Sequence, residues 1–255
     1  MFKFYNIPDS ETAEKIIGNI PSIKFSSAFD LNDPFELKFN LKIDPNADGQ
    51  KEEFFKNFPN KKLEDFKKWQ NQLTDQFIWH TEQEQRSGLC QIITLTCFTE
   101  SNQNNLMWSH YTNNHQGICV EYSKDLLDYL ISLDNYLANS KVEYSDEPPT
   151  VDNLESVESK VNKMLFNKQL EWKYEKEHRV ILQSSNAVDY IPIDSKFIKA
   201  VFIGSKCNTT LSDEIIKICK RNRIEQYHGI SFGKSYKVQF QKHKAGTTYM
   251  KSFWK

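Results

Sequence analysis

Hydrophobic and polar positions change period several times along the chain. "FKFY" at 2–5 reads as a short strand, and "PDSETAEKIIGN" follows with helical spacing. Asp9 or Ser10 can cap that helix, acidic residues fill its first turn and Gly18 can end it. "FELKFNLKI" is the cleanest alternation: Phe35, Leu37, Phe39, Leu41 and Ile43 interleave with Glu36, Lys38, Asn40 and Lys42. That pattern predicts one strand with a buried apolar face and a wet face carrying Glu36.

After the break "DPNADG", residues 51–85 read as polar helices with sparse apolar positions such as Phe54, Phe66 and Trp69, suited to lie across the surface of a core. "QIITLTCF" at 91–98 is a near-continuous apolar run, as a central strand would be. A helix over 104–112 leads through "TNNHQG" into the strand "ICVEY", followed by a helix near 124–138 and a strand at "KVEY". "EYSDEPPTVDNLESVE" at 143–158 carries six acids and no base and reads as a solvated loop and helix start. "ESKVNKMLFNKQLEW" continues as helix. The strands "HRVIL", "DYIPI" and "FIKAVFIG", a helix at 211–222 and the short strands "IEQYHGISF" and "KVQF" complete the chain. Strands and helices mix without a regular βαβ period. The expectation is a single α+β domain over 1–255, with a mixed, mostly antiparallel sheet core and peripheral helices. It includes a helical insertion at about 50–88 and a basic C-terminal portion at 206–255.

Composition narrows the class. Hydrophobic residues make up 38% and aromatic residues 13% of the chain, including 18 Phe, which predicts a packed aromatic-rich core rather than disorder. The five cysteines form no CxxC pair and sit in apolar runs, the pattern of reduced thiols in a cytoplasmic protein. No signal peptide and no membrane-spanning run is read from the sequence, so no membrane partner is expected. The net charge of -1 hides an asymmetry: residues 206–255 hold eleven Lys/Arg against three Asp/Glu, or +8, leaving -9 for the rest. Such segregation points either to an anionic partner such as nucleic acid or to compensation within the molecule.

Four stretches carry candidate chemistry. In "NLMWSHYTNNHQGICVEY", a helix would present Trp108 and Tyr111 three apart, with His110 on another face and His115 in the turn beyond. Histidines suit proton transfer and the aromatics can stack on a base. Equally, Trp108 and Tyr111 can be core residues and His115 a turn residue. The two histidines lack a carboxylate or thiol at metal-site spacing, so no metal site is read. In "EWKYEKEHRVIL", Glu175, Glu177 and Arg179 fall on one face if extended: a carboxylate pair able to orient a ribose and an Arg able to grip phosphate, or a salt-bridged strand face. In "LNDPFE", Asn32-Asp33-Pro34 is a turn signal and Asp33 either caps that turn or joins a site. In the tail, Tyr227, Phe232, Tyr236, Phe240, Tyr249, Phe253 and Trp254 interleave with Lys234, Lys237, Lys242 and Lys244, as in nucleic-acid binders and also in amphipathic edge strands.

The motifs "FKFY", "LNDPFE", "CFTESNQNNLMWSHYTNNHQGICVEY" and "WKYEKEHRV", in that order, resemble a bacterial family catalogued as domain of unknown function 2971. That resemblance implies a bacterial defence or mobile-element context and no agreed reaction. A further likeness is to ADP-ribosyltransferases, mixed α+β folds that clasp NAD between two small sheets. It implies that Glu175-x-Glu177 opens a late strand with Glu177 orienting the nicotinamide ribose, and that Thr96-Cys97-Phe98-Thr99 is the preceding Ser/Thr-bearing strand. The early Arg or His of that family is missing, since no Arg precedes Arg86 and no His precedes His80; its role would fall to Lys3 or Tyr5. The expected function is therefore a nucleotide-binding cleft with ADP-ribosyl transfer or NAD cleavage. Glu177, His110 and His115 are its catalytic candidates; Arg179, Tyr111, Trp108, Glu175, Asp33 and Tyr5 are its binding candidates. NAD would enter as substrate rather than as a resident cofactor. The alternative is a non-catalytic module that binds nucleic acid or a partner protein.

Overall fold

A computed structural model describes residues 1–230 and 236–242. The predicted α+β class is observed, but the strands divide between two five-stranded sheets. The first sheet runs in the order Phe2–Tyr5, Ile118–Tyr122, Ile198–Ile203, Glu225–Ile230, Gln239–Lys242. The second runs Val188–Pro192, Ser22–Ser27, Ile93–Phe98, His178–Gln183, Tyr136–Lys141. All neighbours are antiparallel except Ile198–Ile203 and Glu225–Ile230, which are parallel across the helix Thr209–Arg221. Two parallel two-stranded pairs, Asn40–Lys42 with Thr150–Asp152 and Glu143–Ser145 with Asn167–Gln169, stand apart from both sheets.

Alternation within the strands sorts the core. Val180 and Leu182 join Phe25, Phe98, Tyr5, Val120 and Tyr122 in the largest apolar cluster, which draws on both sheets and on the helices Ser10–Ile17 and Thr209–Arg221. On the other face of the second sheet, Ile93, Leu95 and Ile181 pack against Leu37, Phe39, Leu41 and Leu165. On the other face of the first sheet, Phe4, Cys119 and Phe202 enclose Trp108. The sheets are joined where Phe2 and Thr99 exchange backbone hydrogen bonds of 2.9 and 2.8 Å.

The first helix is capped as predicted, with Thr12 N donating to the Asp9 carboxylate at 2.7 Å and the chain leaving it at Gly18. The polar stretch after residue 50 forms the helices Gln50–Asn57, Leu63–Gln72 and Asp75–Ile92, so Gln91 and Ile92 end a helix instead of starting a strand. The helix predicted near 124–138 stops at Ile131, and Tyr136–Lys141 is an edge strand.

The strand expected at 35–43 shortens to Asn40–Lys42. Backbone bonds from Glu36 N to Asp33 O and from Lys38 N to Phe35 O fold the preceding segment into turns, and Leu37 takes a positive φ of 57°. The turn exchanges the expected exposures of Phe35, which is exposed, and Glu36, which is buried, while Leu37, Phe39 and Leu41 are buried as predicted. No helix among the described residues is long and apolar enough to cross a membrane.

Candidate functional site

The outer face of the second sheet changes character along its strands. Ile181 and Leu95 are apolar, and two residues on the same face becomes charged: Cys97 pairs across the ladder with Arg179. Arg179 is fully buried. Its Nε and Nη2 donate to the two Glu177 oxygens at 2.7 and 3.3 Å, and Nη1 donates to the Leu165 carbonyl at 2.6 Å. The Glu36 carboxylate lies 2.8 Å from Nη1 as an ion pair, delivered there by the Asp33 turn and held by Arg86, which donates to the Glu36 and Pro34 carbonyls.

Glu175 ends a 3-10 helix, Leu170–Glu175, and Lys176 turns the chain with a φ of 46° so that Glu177 enters the strand from the other side. Lys168, from the short strand Asn167–Gln169, reaches into the resulting gap. Its ammonium lies 2.7 Å from Glu175, 3.5 Å from Glu177 and 3.8 Å from Glu36, and 4.7 Å from the centre of the Trp172 ring. Three carboxylates thus share two cations, all of them buried.

Burial alone would raise Glu177, but Arg179 and Lys168 overcome it and hold its carboxyl at about 2. Glu175 is pushed up, by burial first, with repulsion from Glu177 opposing the attraction of Lys168. Glu175 also accepts a hydrogen bond from the Tyr111 hydroxyl. Two carboxylates two residues apart are driven in opposite directions, the arrangement that separates a fixed anion from a proton carrier.

A cleft of about 360 Å³ opens onto this cluster where the first strand meets the second sheet. The buried Glu175, Glu177 and Lys168 line it together with Tyr111 and His110, and Lys3, Tyr5 and Lys24 line it from the strands Phe2–Tyr5 and Ser22–Ser27. His110 is exposed, and its Nδ1 shares a proton with the Tyr174 hydroxyl at 2.8 Å. Tyr5 presents its ring, while its hydroxyl is spent on Tyr122 at 2.8 Å. The Cys97 thiol, also in the lining, is pushed well up by burial and by the Glu177 charge, so it is a neutral group.

The other candidates lie elsewhere. Trp108 is fully buried, donates to the Asn102 carbonyl at 2.6 Å and meets Phe4 edge-on at 5.1 Å; it is core and has no face free for a base. His115 stacks behind it at 6.0 Å in a left-handed turn, φ 69°, with its carbonyl accepting from Lys206 N, and does not line the cleft. Asp33 caps its own turn by accepting from Phe35 N at 2.9 Å. Arg179 stands behind Glu177, with its fork occupied, and is a positioning residue rather than a phosphate ligand. In the basic portion, Lys242 pairs with Glu225 at 2.6 Å, Tyr236 and Lys237 are exposed, and Tyr227 stacks on Phe202, with Phe240 edge-on to the same ring. Lys234, Lys244, Phe232, Tyr249, Phe253 and Trp254 lie outside the described residues.

Two cluster members escaped the sequence reading. The alternation places Glu36 on a wet strand face, and the helical pattern places Lys168 inside a helix. The signal available for both was charge arithmetic: a buried Glu-x-Glu-x-Arg needs further partners.

The fold and this cluster define a two-sheet α+β protein with a charged cleft at the sheet junction. Residues 107–180 match the model of a family described as a protein of unknown function (DUF2971). The matched span holds His110, Tyr111, Lys168, Glu175, Glu177 and Arg179, but neither Lys3 nor Glu36. No curated protein and no solved structure matches the chain.

Proposed function

We propose that the chain acts on a nucleotide in this cleft, with NAD as substrate, by ADP-ribosyl transfer or NAD cleavage. The observation that carries the reading is the meeting of Glu175, Glu177, Tyr111 and His110 in one cleft at the junction of two five-stranded sheets. Glu177 is an anion fixed by a two-pronged Arg bond and shielded from water, suited to accept a ribose hydroxyl and to stabilise positive charge developing at the anomeric carbon. The Tyr111 ring offers a stacking surface, and Glu175 with Tyr111 can take up or deliver a proton. The Ser/Thr-bearing strand of the likeness contributes Cys97 and Thr99 to the cleft.

The test is incubation of the folded chain with NAD, with and without protein and nucleic-acid acceptors, and chromatographic analysis for nicotinamide. Release that falls at least a hundredfold in Glu177→Gln supports the reading. No release under either condition, or release equal in the variant, overturns it.

A further inference from the structure

The cleft carries two cations, Lys3 and Lys24, that have no ion-pair partner among the described residues. Lys3 stands on the edge strand of the first sheet and Lys24 on the Ser22–Ser27 strand of the second; both are half-buried in the cleft lining. Neither forms an ion pair or a side-chain hydrogen bond among the described residues, and the Lys3 ammonium lies 5.4 Å from the centre of the Tyr5 ring. Lysines are rarely buried without a partner, because the ammonium loses hydration and gains nothing in return. Here two of them converge from different sheets. Asn6 and Asn32 add neutral hydrogen-bonding groups to the same cleft, and the exposed Asp30 is the one acid in its lining besides Glu175 and Glu177.

We propose that Lys3 and Lys24 form an anion subsite that grips the phosphate or diphosphate of the ligand. The assignment rests on the nucleotide reading for the identity of the ligand, though not for the anion. The cleft is then bipolar, with phosphate at the two lysines and the uncharged or cationic end of the ligand against Glu175 and Glu177. Burial pushes Lys3 down to about 8, with Lys24 adding to it and the Glu177 charge acting in the opposite sense. A bound anion reverses that balance, so binding near pH 8 draws a proton onto Lys3.

The experiment is calorimetric titration of pyrophosphate, ADP-ribose and adenosine into the full chain at pH 8, in two buffers of different ionisation enthalpy. ADP-ribose, whose diphosphate does not titrate near pH 8, should bind with proton uptake, and pyrophosphate should bind as well. Lys3→Met and Lys24→Met should each weaken pyrophosphate binding at least tenfold, while Lys3→Arg, Lys24→Arg and the surface control Lys196→Met retain it. Melting curves establish that each variant is folded, and Lys3→Gln or Lys24→Gln carries the test, with the same expected loss, if a methionine variant is not. Absence of pyrophosphate binding at millimolar concentration, or equal binding by both methionine variants, overturns the subsite. Lysine-dependent pyrophosphate binding without ADP-ribose binding upholds the subsite and overturns the nucleotide reading. ADP-ribose binding indifferent to both lysines does the reverse.

Discussion

Arg179→Leu is the sharpest perturbation of the buried cluster. The guanidinium makes a fork to Glu177 at 2.7 and 3.3 Å, an ion pair with Glu36 at 2.8 Å and a hydrogen bond to the Leu165 carbonyl. Its removal leaves three carboxylates around a single ammonium, all nearly inaccessible to water. Breaking a buried pair by deleting one partner costs about 3–5 kcal/mol, because the survivor remains desolvated and unpaired. At about 1.4 kcal/mol per decade, the folding equilibrium should fall by roughly two to four orders of magnitude. That loss is a large part of the roughly 5–15 kcal/mol available to a domain. Urea denaturation followed by tryptophan fluorescence measures it. Adding Glu36→Leu and Glu177→Leu to Arg179→Leu leaves Lys168 and Glu175 as a balanced pair, and the triple variant should recover at least half of the loss. A loss under about 1 kcal/mol for the single variant, or no recovery in the triple, would refute the electrostatic account of the cluster.

Three further outcomes follow from the same geometry. Trp108→Ala should cost about 3–5 kcal/mol by opening a cavity against Phe4 and Phe202, while leaving ligand affinity of the folded fraction unchanged; denaturation and titration read these separately. Glu177, held at about 2 against an ordinary 4.5, contributes stability that is complete above pH 4.5 and is lost as pH falls toward 2. The stability gap between wild type and Glu177→Gln should therefore shrink across that window in denaturation series at stepped pH; a constant gap contradicts it. Lys3, lowered from 10.5 to about 8, costs stability below pH 8 that is regained between pH 8 and 10.5. Lys3→Met should accordingly be more stable than wild type at pH 7, by on the order of 1–2 kcal/mol, with the advantage vanishing at high pH.

Legibility in the sequence followed locality. The helix cap at Asp9, the apolar strand ending at Phe98 and the strand His178–Gln183 depend on neighbours in sequence, and the pattern found them. Glu175, Glu177 and Tyr111 were also recognised, because unusual residue types sit at close spacing, and they do share a cleft. Glu36 was misassigned since its alternation with Phe35 and Leu37 is genuine in the sequence. A positive φ at Leu37 and the pull of Arg179, far along the chain, decide otherwise. Lys168 was hidden for a similar reason: one lysine among many becomes distinctive only when tertiary structure encloses it with three carboxylates. The division of the strands into two sheets was also beyond local pattern, because it depends on which strands pair.

The central claim is that the cleft at the sheet junction holds a nucleotide against Glu177. Crystals of the Glu177→Gln variant grown with NAD test it most directly. The account predicts ligand density in the cleft, with a ribose hydroxyl within hydrogen-bond reach of residue 177 and phosphate beside Lys3 and Lys24. Density for NAD on another surface, or a solvent-filled cleft at saturating NAD, would contradict it.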